Sequence, residues 1–175
     1  VPGVRPNNLA DDQTATVAVI RHAIAHWMSG VAPEALAWVV YPTALLLTPG
    51  DLRRAEDQFR SSSANFLVPI LRYPHPVERR LRLGARGSIA PDNLVSMRSR
   101  TQDLPPAYHD AGQFYVGRIA AWTVSSPLED EFSLGHVMES TRAVDIDEPE
   151  DWERAELLAR LTCDESEPDR TATPD

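Results

Sequence analysis

Val144-Asp145-Ile146-Asp147-Glu148-Pro149-Glu150-Asp151-Trp152 is the stretch on which the reading of this chain turns. A strand-like approach from Arg142 to Ile146 gives way to Pro149 at the entry of an amphipathic run ending near Leu161, so an extended segment hands over to a helix. On an extended backbone, residues two apart point to the same side, which lets Asp145 and Asp147 converge. Two converging carboxylates at a helix start suit a hard cation that keeps waters and substrate phosphates, the usual mode for Mg²⁺. Asp147-x-x-Glu150 is equally a capping-box pattern, which accounts for Asp147 and leaves Asp145 without a task.

Upstream, helical and strand-like patterns alternate. Thr14 and Thr16 offer N-caps to a helix whose stripe is Ile20, Ala23, Ile24, Trp27 and Met28. Ala35 to Tyr41 reads as a buried strand, and Asp51 to Arg60 as a helix with Leu52, Ala55 and Phe59 inward. Asn65 to Leu71 is a second apolar strand, with Pro69 arguing for an edge position or a strand end. Residues 72–106 carry arginine and proline without clear periodicity and read as a long functional loop with short strands. Gln113 to Val116 is a strand and Ile119 to Trp122 a helical turn, whereas 124–139 is irregular. The last helix turns Trp152, Ala155, Leu158 and Ala159 inward.

This alternation predicts an α/β fold with a mainly parallel sheet in one domain over residues 1–162, followed by an acidic, disordered tail over 163–175. Ligands of such sheets bind at the carboxyl ends of the strands. The loops after Tyr41, around residues 97–113 and at Asp145–Asp147 are therefore expected to face one crevice.

Composition narrows the function. The net charge of −9 lies wholly in residues 145–175, which hold 12 acidic and 3 basic side chains; residues 1–144 balance at 14 of each. A neutral body with an acidic end lacks the basic stripe of a nucleic-acid binder. No apolar run approaches a membrane span, so no membrane partner is expected. The lone Cys163 permits no internal disulfide and fits a cytoplasmic location. All 17 basic residues are arginine, which takes lysine out of any phosphate-binding scheme.

Further candidates have competing explanations. Arg98, Arg100 and Gln102 alternate, so on an extended segment they share a face able to grip carboxylates or phosphates, unless the segment is a solvated basic loop. His109-Asp110-Ala111-Gly112-Gln113 is either a ligand-approaching bend or a plain turn. His22 and His26 have helical ligand spacing but no third ligand nearby, so they read as ordinary helix residues. No nucleophilic triad and no complete glycine-rich phosphate loop is present.

Together, five blocks resemble the cytidylyltransferases that activate nine-carbon sialic-acid-type sugars, closest to those acting on pseudaminic acid. They are Arg5-Pro6 with Leu9 through Thr16; Tyr41-Pro42-Thr43-Ala44; Arg100-Thr101-Gln102-Asp103-Leu104; Tyr108 through Tyr115; and Val144 through Leu158. The resemblance implies a Rossmann-like nucleotide-diphospho-sugar transferase fold, usually a homodimer. Such an enzyme uses CTP, Mg²⁺ and a nonulosonic acid to make a CMP-sugar and pyrophosphate. It places Arg5, Thr14 and Thr16 at the nucleotide, and Tyr41, Thr43, Arg100, Gln102 and Gln113 at the substrate. Asp145 and Asp147 fall at the metal, with Arg100 beside them in catalysis. The match starts downstream of the family's opening strand and glycine-rich loop. The expectation is thus an N-terminally truncated enzyme of impaired activity or, alternatively, a non-catalytic remnant serving as a sugar-acid-binding or dimerisation module.

Overall fold

The computed structural model describes residues 3–11 and 13–164, without the side chains of residues 163 and 164. Helix α1 (Thr16–Trp27) precedes strand β1 (Leu36–Val40), helix α2 (Pro49–Arg60) and strand β2 (Phe66–Arg72). A hairpin of β3 (Leu81–Leu83) and β4 (Ile89–Pro91) and a short helix α3 (Leu94–Arg98) follow. Strands β5 (Tyr108–Asp110) and β6 (Phe114–Arg118), helix α4 (Ile119–Val124), strand β7 (Ser133–Val137) and helix α5 (Pro149–Asp164) complete the order.

The α/β class holds, but the sheet is mixed rather than mainly parallel. In the five-stranded sheet β6 pairs antiparallel with β1 and β2, β5 pairs antiparallel with β2, and only β7 joins β2 in parallel. The cause is the excursion after β2. Its two ends meet where Tyr73 N–H donates to the Ala107 carbonyl, so the chain returns beside β2 in the opposite direction. β1, β2 and β7 nevertheless run the same way, and their carboxyl ends lie at one end of the sheet.

Pro69 corrects another expectation, because it lies within the central strand β2 and is fully buried. β5 and β6 flank the same side of β2 and are broken by Ala111, Gly112 and Gln113, opposite Pro69. The Pro69 carbonyl accepts from Ala111 N–H at 3.0 Å. A strand residue's amide and carbonyl face the same neighbour, so the missing N–H falls at this break, where no ladder bond is lost.

Apolar residues on both sheet faces explain the near-continuous hydrophobic strands. Leu36, Trp38, Leu67, Phe114 and Val116 pack with Ala55 and Phe59 of α2. Ala37, Val39, Phe66 and Tyr115 meet Ile20 and Ile24 of α1 and Trp122 of α4 on the other face. Gly117 admits the Phe66–Trp122 edge contact, since a Cβ there would lie 2.4 Å from Phe66. Emptying the fully buried Phe59 site costs about 3–5 kcal/mol.

Local details differ from the sequence pattern. α1 is capped at Ala15 with no side-chain bond, because Thr14 Oγ1 donates to Asp11 instead. β7 orders part of the region expected to be irregular, whereas residues 142–146 form no strand, residue 142 being a bend. Trp152 faces outward at 48% exposure, with Nε1 donating to Glu156. α5 runs through Asp164, two residues into the expected tail; the rest of that tail lies outside the described residues.

Candidate functional site

The carboxyl ends of β2 and β7 open onto a cavity of about 750 Å³. Its wall includes Arg72, His75, Thr101, His109, Asp145, Asp147, Asp151 and Arg154. Two of the three expected loops therefore share this crevice, and the one after Tyr41 does not line it. The antiparallel β5/β6 ribbon lies between β1 and β2, and Tyr41 packs edge-on against Tyr115 of that ribbon at 5.8 Å.

Three restraints set the acidic segment. Arg142 donates to Thr48 Oγ1 and to Asp51, both at 2.9 Å, which ties the loop after β7 to the start of α2. Gln113 is buried, and its Nε2 donates to the Ala111 and Val144 carbonyls at 2.8 and 2.9 Å. Asp151 accepts from the backbone N–H groups of Asp147 and Glu148 at 3.2 and 3.0 Å. Asp151, rather than Asp147, thus satisfies the helix start, leaving both members of the Asp145–Asp147 pair without a capping task.

Gly112 makes room for Asp145. Its φ is +62°, and a Cβ built there would lie 2.2 Å from Asp145 Oδ1. The carboxylate therefore rests against a bare Cα in a left-handed turn that glycine adopts without steric cost. Asp110 sets that turn by accepting from Gly112 N–H at 3.0 Å. It also accepts from the Tyr115 hydroxyl. Burial and the Asp110 carboxylate raise the Tyr115 phenol pKa, so it stays a donor.

Partial burial, then the neighbouring carboxylates of Asp147, Asp110 and Asp151, hold Asp145 above the usual carboxylate range, partly offset by His109. Among the described residues, no guanidinium pairs with Asp145 or Asp147. Mutually repelling carboxylates with no cation between them suit a divalent ion. Among the described residues no three acidic, histidine or cysteine side chains form a closed metal cage. An open donor set of one or two carboxylates plus water and phosphate is how Mg²⁺ is commonly held. The residues present therefore fit the expected cofactor.

Other expected residues lie elsewhere. Arg5 is exposed and donates to the Leu9 carbonyl, and Thr16 is the first residue of α1. Thr14, Tyr41 and Thr43 do not line the cavity. Arg98, Arg100 and Gln102 share no extended face, because α3 ends at Arg98 and a 3₁₀ turn spans Thr101–Asp103. Arg100 makes a two-point pair with Asp103 outside the cavity wall, while Thr101 lines it. Gln113 reaches backbone rather than the cavity. His22 and His26 stack at 5.5 Å. Arg72, His75, Asp151 and Arg154 were not anticipated; Asp151 alone had a local signal, at N3 of the helix.

No family model matches the chain. Two curated proteins do, from Campylobacter jejuni subsp. jejuni serotypes O:2 and O:23/36, each 31% identical over 160 residues. The match covers 91% of this chain and 69% of each relative. Both relatives are named as enzymes that transfer a cytidylyl group, a class consistent with an α/β sheet ending in a carboxylate-lined cavity. The chain belongs to the pseudaminic acid cytidylyltransferase family.

Proposed function

We propose that this chain catalyses transfer of CMP from CTP to the anomeric hydroxyl of a nonulosonic acid, pseudaminic acid being favoured, with release of pyrophosphate. The carrying observation is that Asp145, Asp147 and Asp151 line one cavity, in a chain of this family. Both reactants are anionic, so the site's task is charge neutralisation and alignment more than covalent chemistry. Asp145 and Asp147 would hold Mg²⁺, whose positive charge would offset the phosphates. Gly112, Gln113 and Arg142 fix where the two carboxylates stand. His109, whose Nδ1 lies 2.8 Å from the Asp110 carbonyl, keeps Nε2 free to take the hydroxyl proton when Nδ1 carries the hydrogen.

In this reading Arg5, Thr14 and Thr16 serve the nucleotide, and Tyr41, Thr43, Arg100 and Gln102 the substrate approach, as the resemblance implies. The hairpin supports a homodimer: Leu81, Leu83 and Ile89 are 49%, 78% and 66% exposed on an isolated two-stranded sheet. A cytoplasmic location is part of the proposal; no helix among the described residues is long and apolar enough to cross a membrane.

The test is pyrophosphate release from CTP and pseudaminic acid with Mg²⁺. It is run on these 175 residues and on the same residues fused behind a glycine-rich strand-and-loop segment, which they do not include. A second reading, a sugar-acid-binding or dimerisation module without catalysis, is favoured by the separation of Arg5, Thr14 and Thr16 from the acid-lined cavity. Sugar binding without turnover in the fused protein selects it.

A further inference from the structure

We propose that Arg72 and Arg154 form the oxyanion-binding pair of this cavity, whose wall they share with its carboxylates. The ligand identities rest on the transferase reading above. The geometry behind the pair does not. Arg72 and Arg154 are the only arginines among the residues lining the cavity that also holds Asp145, Asp147 and Asp151. Arg54, Arg60, Arg80, Arg82, Arg100, Arg142 and Arg160 each pair with a carboxylate. Among the described residues, Arg72 and Arg154 pair with none, although acidic side chains share their cavity.

Both are carried by ordered elements. Arg72 ends β2 in register with Tyr108, and Arg154 sits one helical turn beyond Asp151, which is bonded to the backbone at the start of α5. The cavity thus presents guanidinium donors from a strand end and a helix, with carboxylates between them in sequence. A guanidinium matches a carboxylate or a phosphate through two parallel hydrogen bonds. Guanidinium groups and carboxylates on the wall of one cavity suit a ligand whose anionic group adjoins a hydroxyl, as in a 2-keto sugar acid in its ring form. The oxyanion is either that acid's carboxylate or a phosphate of CTP. Arg100, paired with Asp103 and not among the lining residues, lies outside this pair and keeps only the substrate-approach role given above.

Calorimetric binding of pseudaminic acid and of CTP, each alone with Mg²⁺, tests this on the whole chain and on Arg72→Gln, Arg154→Gln, their double variant and Arg100→Gln. Both side chains are exposed, so melting temperatures should match the parent chain. Each single substitution is expected to weaken one ligand about 10- to 100-fold, the value of a charged hydrogen-bond pair, and lysine should restore only part of it. Loss of sugar-acid affinity assigns the pair to the carboxylate, and loss of CTP affinity assigns it to phosphate; either supports it. Unchanged affinities in the double variant overturn it, as does a loss confined to Arg100→Gln or an intact chain that binds neither ligand. Because no turnover is needed, binding through these arginines with no pyrophosphate release even in the fused protein retires the transferase reading and keeps the pair.

Discussion

Replacing Gly112 with alanine puts a methyl group where Asp145 now rests. The new Cβ would stand 2.2 Å from Oδ1 and 2.5 Å from the carboxylate carbon, so the carboxylate must withdraw by more than an ångström to reach ordinary contact. Alanine also pays about 1–2 kcal/mol for the left-handed backbone at φ +62°. For a chain of this size that lowers the melting temperature by about 2–8 °C. An ångström of misplacement in a catalytic site can cost about 100-fold in rate. The assay pairs thermal unfolding with Mn²⁺ relaxation titration, which reads cation binding directly whether or not the chain turns over. Gly112→Asn separates the two effects, because asparagine tolerates the left-handed region but brings the same Cβ. Its stability should recover while cation binding stays weak. Parental Mn²⁺ affinity in both variants would refute the role given to Gly112.

Asp145→Asn, which leaves the fold intact, is expected to weaken Mn²⁺ binding at least tenfold and to abolish Mg²⁺-dependent pyrophosphate release in any active form of the protein. Gln113→Ala loses the bonds to Ala111 and Val144 and leaves a cavity, for a loss of about 2–4 kcal/mol in urea unfolding. Burial raises the Asp51 carboxyl, but hydrogen bonds from Thr48 and Arg142 outweigh it and hold the pKa below its ordinary 3.8. A depressed folded-state pKa stabilises above the unfolded value and is lost as pH falls through the folded one. Urea midpoints should therefore fall as pH drops below about 4, and Asp51→Asn should be less stable at pH 7 with a flatter acid limb.

Where the sequence was readable, one period dominated. Ile20 and Ile24, or Ala55 and Phe59, repeat at helical spacing and are buried as expected. β1 and β2 are apolar on both faces because helices cover both. β7 escaped notice because Gly135 and Val137 are exposed, so Ser133–Val137 carries neither an apolar run nor clean alternation. Strand direction was beyond the pattern: the return of residues 107–118 alongside β2 depends on where Tyr73 and Ala107 meet. At the site, Asp145 and Asp147 are two residues apart, so their place on one cavity wall depends only on the local backbone. Arg72 and Arg154 stand far apart in sequence, and only the tertiary fold brings them to one cavity. Gln113 left a faint trace, an amide between a glycine and an aromatic, that did not distinguish a ligand contact from an internal tie.

The excursion between Tyr73 and Ala107 leaves and rejoins the sheet at adjacent rungs, so its ends are held together whatever lies between. Doubling the length of such a closed segment costs only about 0.6 kcal/mol in chain entropy. Its residues from Tyr73 to Pro76 and from Leu104 to Ala107 line the cavity, while the acids that line it come from a different segment, Asp145 to Asp151. Substrate range can therefore drift by lengthening, shortening or recomposing this one stretch, while the segment that carries the acids stays put.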